Sequence, residues 1–161
     1  MTLSQGIIKK WLLLFVLCFS MIFAITPINK ASALTYDYTN PYSTGCANKS
    51  PITYETKYIY KNGVKIGYVQ LKGSAYCHTA WGYVKFYSAA PYDSYANVYV
   101  DSYKNGTTWR TYTDCYEGNG RVNKGQTSCY TSQLWDKDPY KASAQAVISD
   151  TTLIKVTTGR H

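Results

Sequence analysis

The chain has 161 residues, 17 basic and nine acidic side chains, a formal charge of +8, two histidines and 18 tyrosines. That length fits one ordinary domain. The absence of a His/Cys set at ligand spacing, of a phosphate loop and of a dinucleotide fingerprint excludes the recognisable zinc, nucleotide and NAD classes.

Residues 1–33 read as a signal peptide. Lys9 and Lys10 supply the positive n-region, and Trp11 to Ile25 is an apolar run of 15 residues interrupted by Ser20. Ala31-Ser32-Ala33 fits the small-x-small pattern, so cleavage is expected after Ala33. A spanning helix needs roughly 20 apolar residues, and Thr26-Pro27 ends this run short of that. Residues 34–161 are therefore expected as a single secreted domain, extracellular or wall-associated, with no membrane span of its own. Three of the 17 basic residues and none of the acids lie in the leader, which leaves 14 against nine, a net +5. Outside a cell that charge favours wall or membrane surface over nucleic acid. All 18 tyrosines but one of the four phenylalanines, Phe86, fall in this part. Tyrosine couples an apolar ring to a hydroxyl that needs water or a partner, so the chain is built for half-buried sheets and surfaces.

Residues 34–53 form an irregular segment rich in Tyr, Thr, Asn, Pro and Ser, held by Cys46. Alternation then predicts an all-β domain, a small disulfide-stapled β-sandwich or barrel of about seven short antiparallel strands. Asn62-Gly63 marks a type I′ hairpin turn joining Thr56–Lys61 to Val64–Leu71. Pairing that sets Tyr60 opposite Lys65 also sets Ile59 opposite Ile66, and a parity change afterwards predicts a bulge near Gly67. Ala75 to Tyr87 follows, with Cys77 and Trp81 on one face, His78 on the other and a second bulge expected at Gly82. Asn105-Gly106 marks the other hairpin. A two-residue turn there sets Ala96, Val98, Val100 and Ser102 against Cys115, Thr113, Thr111 and Trp109 as the core face. The outer face then pairs Tyr95 with Tyr116, Asn97 with Asp114, Tyr99 with Tyr112 and Asp101 with Arg110. Strands are expected over Ala142–Ser149 and Leu153–Thr157, although 141–148 also carries a weak helical pattern.

Four cysteines remain after the leader, and they allow three disulfide connectivities. Nearest-neighbour pairing, Cys46–Cys77 and Cys115–Cys129, is favoured because each staple would anchor one irregular segment to one strand. The 15-residue ring is worth about 3 kcal/mol on the chain-entropy model.

The catalytic inventory is thin. His78 is the only internal histidine and reads as an ordinary strand residue. Asp136 and Asp138 are the nearest acidic pair but read as a solvated turn, and Glu55 and Glu117 sit near element ends, so no glycosidase pair is evident. Trp81, Trp109 and Trp135 share parity with cysteines and are expected in the core. The outer tyrosine strip carries more promise. Tyr95, Tyr99, Tyr112 and Tyr116, with Asp101 and Arg110, would suit a glycan, with rings stacking on sugar faces. Arg121 and Lys124, in the loop between Cys115 and Cys129, would suit an anionic polymer.

Asn40-Pro-x-x-Thr-Gly-Cys-Ala47 followed by Cys77-x-x-Ala-Trp81 resembles an exported bacterial family of unknown function, the domain numbered 2690. Leu134-Trp135-Asp136 and Lys141 to Ala144 resemble its C-terminal half. The likeness covers roughly Asn40 to Ala146 and implies a Cys46–Cys77 bond and a bacterial source. It implies no activity. Gly82 stands where that family often has Ala, and the tyrosine enrichment and second cysteine pair depart from its pattern. These readings together predict a secreted non-catalytic module, without cofactor or metal, that binds wall glycan or an anionic wall polymer. The alternative is a secreted protein-interaction factor: an inhibitor, a toxin or a self-assembling surface protein. A hydrolase using His78 or Asp136 is the third reading.

Overall fold

The computed structural model describes residues 35–161. The signal-peptide reading of residues 1–33 and the expected cleavage after Ala33 lie outside the described residues. Nine strands follow a short 3-10 turn at Cys46–Asn48: β1 Pro51–Lys61, β2 Val64–Ser74, β3 Thr79–Phe86, β4 Ala96–Lys104, β5 Thr108–Asp114, β6 Ser128–Tyr130, β7 Leu134–Trp135, β8 Tyr140–Ile148 and β9 Ile154–Thr157. They form two antiparallel sheets. One runs β1-β2-β3-β6 with β7 also on β3, and the other runs β5-β4-β8-β9. The fold is thus an open two-sheet sandwich and not a closed barrel. Its two extra strands are β6 and β7, three and two residues long, too short to carry an alternation signal.

Both sheets alternate inward apolar and outward polar residues, as half-buried strands do. Val69, Leu71, Val84 and Phe86 of the first sheet meet Val98, Val100 and Ile148 of the second in one buried cluster. β8 contributes small inward residues, Ala142, Ala144 and Ala146, all buried, which let the layers approach closely. The strand period wins over the weak helical pattern in 141–148 because every second residue there faces this core.

Asn62 and Gly63 both have positive φ, 50° and 78°, as a type I′ turn requires. Tyr60 pairs with Lys65, but Ile59 pairs with Gly67 and not with Ile66, so Ile66 is the bulged residue. β2 and β3 then pair without a register break, so the bulge expected at Gly82 is absent. Gly82 faces inward instead, where a Cβ would stand 2.4 Å from Val98 Cγ1. Glycine is needed there for close approach of the sheets. Trp81 consequently lies on the outer side of β3. It is nevertheless buried, at the end of the sheet where the 3-10 turn packs on β1 and β2. Disulfides join Cys46 to Cys77 and Cys115 to Cys129.

Candidate functional site

The second hairpin departs from the expected register in two steps. Its loop has three residues, since Lys104 pairs with Thr108, and Arg110 is then bulged, so that Ser102 pairs with Thr111. Two one-residue shifts sum to two, which restores the original faces beyond the bulge. Tyr99 therefore pairs with Asp114, and Asp101 with Tyr112. The Tyr99 and Tyr112 rings still meet diagonally, 6.1 Å apart and tilted by 48°. Between turn and bulge the shift is odd. Trp109 pairs with Tyr103 and is 56% exposed, not in the core. Its indole N–H donates to Asp101 Oδ1 at 3.3 Å. Burial pushes the Asp101 carboxyl up, against the opposing pull of that indole and of Arg160.

Two of the expected strip residues leave it. Tyr95 precedes β4 and is only 8% exposed, edge-on to Phe86 at 5.1 Å and Tyr92 at 5.4 Å. It closes one end of the core and does not pair with Tyr116. Arg110 does not pair with Asp101. The bulge turns its side chain toward Ser102 Oγ (3.0 Å) and the Asp37 carboxylate. Nη1 donates to Asp37 Oδ2 at 2.6 Å and Nη2 to Oδ1 at 3.2 Å. Asp37 Oδ1 also accepts the Trp135 backbone N–H at 2.6 Å. One carboxylate thereby ties the N-terminal segment to both sheets, a role invisible at a separation of 73 residues.

Of the four strip residues that remain, Tyr112 and Tyr116 line a hollow, and Tyr99 and Asp101 lie outside it. Tyr112, Asp114, Tyr116, Glu117 and Arg121 line a cavity of about 290 Å³ at the end of β5. β5 presents Tyr112 and Asp114 on its outer side by strand alternation. The chain then turns sharply at the Cys115–Cys129 bond. The Cys115 carbonyl accepts N–H groups from both Gly118 (3.0 Å) and Gly120 (2.7 Å). A Cβ on Gly118 would lie 1.9 Å from the Tyr130 carbonyl oxygen, so the turn closes only with glycine. That turn carries Tyr116 and Glu117 back over the strand end. Val122, buried and bridged to Ala96, fixes the return and sets Arg121 at the rim.

The carboxylates are held by donors. Asp114 Oδ2 accepts Asn97 Nδ2 at 2.9 Å and Oδ1 accepts the Tyr116 N–H at 2.9 Å. Glu117 Oε2 accepts the Thr113 hydroxyl at 2.5 Å. Tyr112 and Tyr116 are 52% and 79% exposed, so their rings are open to a ligand. Aromatic rings, fixed carboxylates and one guanidinium can grip a polyhydroxylated molecule by stacking and by hydrogen bonds. Two acids against one base make the hollow a poor seat for a polyanion. Asp114 and Glu117 were the members missed in the sequence, although Asp114 shares the i, i+2, i+4 alternation of Tyr112 and Tyr116. Lys124 lies outside the hollow, exposed, with its backbone N–H on Asp93 Oδ1.

Of the enzymatic candidates, His78 and Asp136 are neighbours through a backbone hydrogen bond. His78 sits exposed on the β2–β3 turn with φ 54°, its ring edge-on to Trp135 at 5.7 Å. Asp136 donates its N–H to the His78 carbonyl at 2.8 Å, and its Oδ1 is buried without a partner. Burial pushes the Asp136 carboxyl up to about 7, against a hydrogen bond from Tyr54 and the nearby Lys141. Glu55 lies on the opposite trend: hydrogen bonds from Lys57, the Gly159 N–H and His161 pull it down to about 2. Among the described residues no group of three or more His, Cys, Asp and Glu gathers to hold a metal. None of their helices is long and apolar enough to cross a membrane.

Residues 34–145 match the family described as "Protein of unknown function (DUF2690)". The chain is 30% identical over 133 residues to "Uncharacterized protein YjfA" of Bacillus subtilis (strain 168), covering 82% of this chain and 83% of that protein. No solved structure matches.

Proposed function

The chain belongs to the family of unknown function DUF2690, and we propose that within it this protein is an exported, non-catalytic module that binds wall glycan through the hollow at the end of β5. Export rests on the leader pattern of residues 1–33 and on two disulfides, which persist in oxidising compartments. The single observation that carries the binding reading is the hollow itself. Two exposed tyrosine rings stand beside two carboxylates and an arginine on a strand end braced by a disulfide. A rigid frame limits the ordering cost of binding. The excess of acid over base favours a sugar over the anionic polymer that the sequence left as an equal choice.

The test is retention on isolated cell walls, with and without removal of their anionic polymer, across a salt series. The reading expects retention on stripped walls at high salt, and its loss in Tyr112→Ala/Tyr116→Ala while the thermal midpoint is kept. No retention on stripped walls would move the weight to a protein partner. Release of sugar fragments would return the hydrolase reading.

A further inference from the structure

The other sheet carries a second aromatic surface of different character. β1 and β2 set Tyr58 opposite Tyr68, β2 and β3 set Tyr68 opposite Lys85 and Gln70 opposite Tyr83, and β3 and β6 set Tyr83 opposite Tyr130. By strand alternation all of these point away from Val69, Leu71 and Val84, which fill the core. The rings run together: Tyr83 to Tyr68 and Tyr68 to Tyr87 are each 6.3 Å apart, and Tyr130 meets Tyr42 at 4.5 Å.

Three lysines interleave with them. The Lys65 ammonium lies 3.7 Å from the Tyr58 ring centre and that of Lys72 lies 5.4 Å from the Tyr83 ring centre. Lys85 donates to Thr127 Oγ1 at 2.6 Å. None of the three joins the ion pairs of the described residues, which use Lys57, Lys61, Arg110 and His161. β2, β3 and β6 contain no acid at all. Glu55, the one acid of β1, pairs in register with the core residue Leu71 and is engaged by Lys57, Gly159 and His161. The face is therefore cationic and has no internal anion to neutralise it.

We propose that this face binds a linear polyol-phosphate polymer of the cell envelope, independently of the hollow on the second sheet. Charge complementarity supplies the attraction, and tyrosine hydroxyls supply donors and acceptors for phosphate oxygens and polyol hydroxyls. A base-bearing polymer fits less well. Base stacking needs open ring faces, and here the rings are tilted against one another by 51–55°, with Lys65 and Lys72 over two of them. A lipid surface fits less well too, since the large exposed apolar side chains of this face are tyrosines and insertion into hydrocarbon uses dry ones. The two sides of the sandwich would then hold two chemically distinct wall components at once.

The experiment titrates the purified protein with a short poly(glycerol phosphate) chain. An oligonucleotide of equal charge and phosphatidylglycerol vesicles serve as comparators. Three lysines neutralising three phosphates give a slope of log K against log salt of about −2. Lys65→Gln/Lys72→Gln/Lys85→Gln should lose at least tenfold in affinity and most of that slope. The corresponding triple arginine variant should retain both, and Tyr112→Ala/Tyr116→Ala should leave them unchanged, which separates this face from the hollow. Wild-type affinity in the glutamine variant, tighter binding of either comparator, or no binding of the probe would overturn the proposal.

Discussion

Replacing Asp37 by alanine removes one carboxylate that three donors share. The Arg110 guanidinium and the Asp37 carboxylate are 19% and 9% exposed, so their removal from water is nearly complete. Breaking a buried pair by deleting one partner costs about 3–5 kcal/mol, chiefly because the other charge is stranded. Arg110 keeps Ser102 Oγ at 3.0 Å and the Tyr140 ring at 5.3 Å, which places the loss at the lower end. The Trp135 N–H, left without Asp37 Oδ1, adds about 1 kcal/mol. A total of about 4 kcal/mol in a domain of this size lowers the thermal midpoint by about 12–16 °C. Near-ultraviolet circular dichroism, dominated by the tyrosines and tryptophans, follows the melt. Arg110→Met keeps the side-chain stem against Tyr140 and removes the charge. In combination with Asp37→Ala it should cost less than the sum of the two single changes by at least about 1.5 kcal/mol. A midpoint shift below about 3 °C, or strict additivity, would refute the claim that this carboxylate ties the N-terminal segment to both sheets.

Gly82→Ala should destabilise by about 1–3 kcal/mol in urea unfolding, because its Cβ meets Val98 Cγ1 at 2.4 Å and Thr131 Cγ2 at 3.3 Å. Part of that loss should return in Gly82→Ala/Val98→Ala, and an unchanged single variant would show that the sheets are not in close contact there. Asp136 should make the fold less stable as pH rises. Its carboxyl ionises near 3.8 in the unfolded chain and near 7 when folded, so the native state holds the extra proton between those values. The stability is full below about pH 4 and is lost as pH climbs through about 7, by up to about 4 kcal/mol. Asp136→Asn should flatten that slope in urea midpoints, and a slope equal to the wild type would assign it elsewhere. Glu55, held low, acts in the opposite direction: its contribution is present above about pH 4.5 and is lost as pH falls toward about 2.

The fold class and both hairpins were legible because local chemistry dictates them. Asn62-Gly63 and Asn105-Gly106 are turn signals whatever the rest of the chain does, and alternation names the core face wherever it runs unbroken. Register was less legible. The parity change in Val64–Leu71 announced a bulge near Gly67, and the structure has it one residue earlier, at Ile66; no local pattern announces the bulge at Arg110 or the third loop residue, Thr107. Tyr112 and Asp114 of β5 kept their predicted face only because two odd shifts cancel. Trp109 lies between those shifts and was read onto the wrong side. Tyr95 was misread because alternation was extended one residue beyond the start of β4, where the chain turns inward. Gly82 was read as a bulge when its lack of a Cβ serves contact with the opposite sheet. Asp37 was beyond reach, since nothing near it in the chain points to Arg110. The hollow was half legible: Tyr112, Tyr116 and Arg121 were named, but Glu117 joins them only through the glycine turn at Gly118 and Gly120.

The most direct test of the glycan reading is a calorimetric titration of the purified protein with soluble, uncharged wall-glycan fragments at high salt, beside Tyr112→Ala/Tyr116→Ala. Two stacking rings at about 1 kcal/mol each predict that the double variant binds about thirtyfold more weakly with its thermal midpoint intact. Equal affinity in the two proteins, or no heat from either, would contradict the assignment of the hollow as a sugar site.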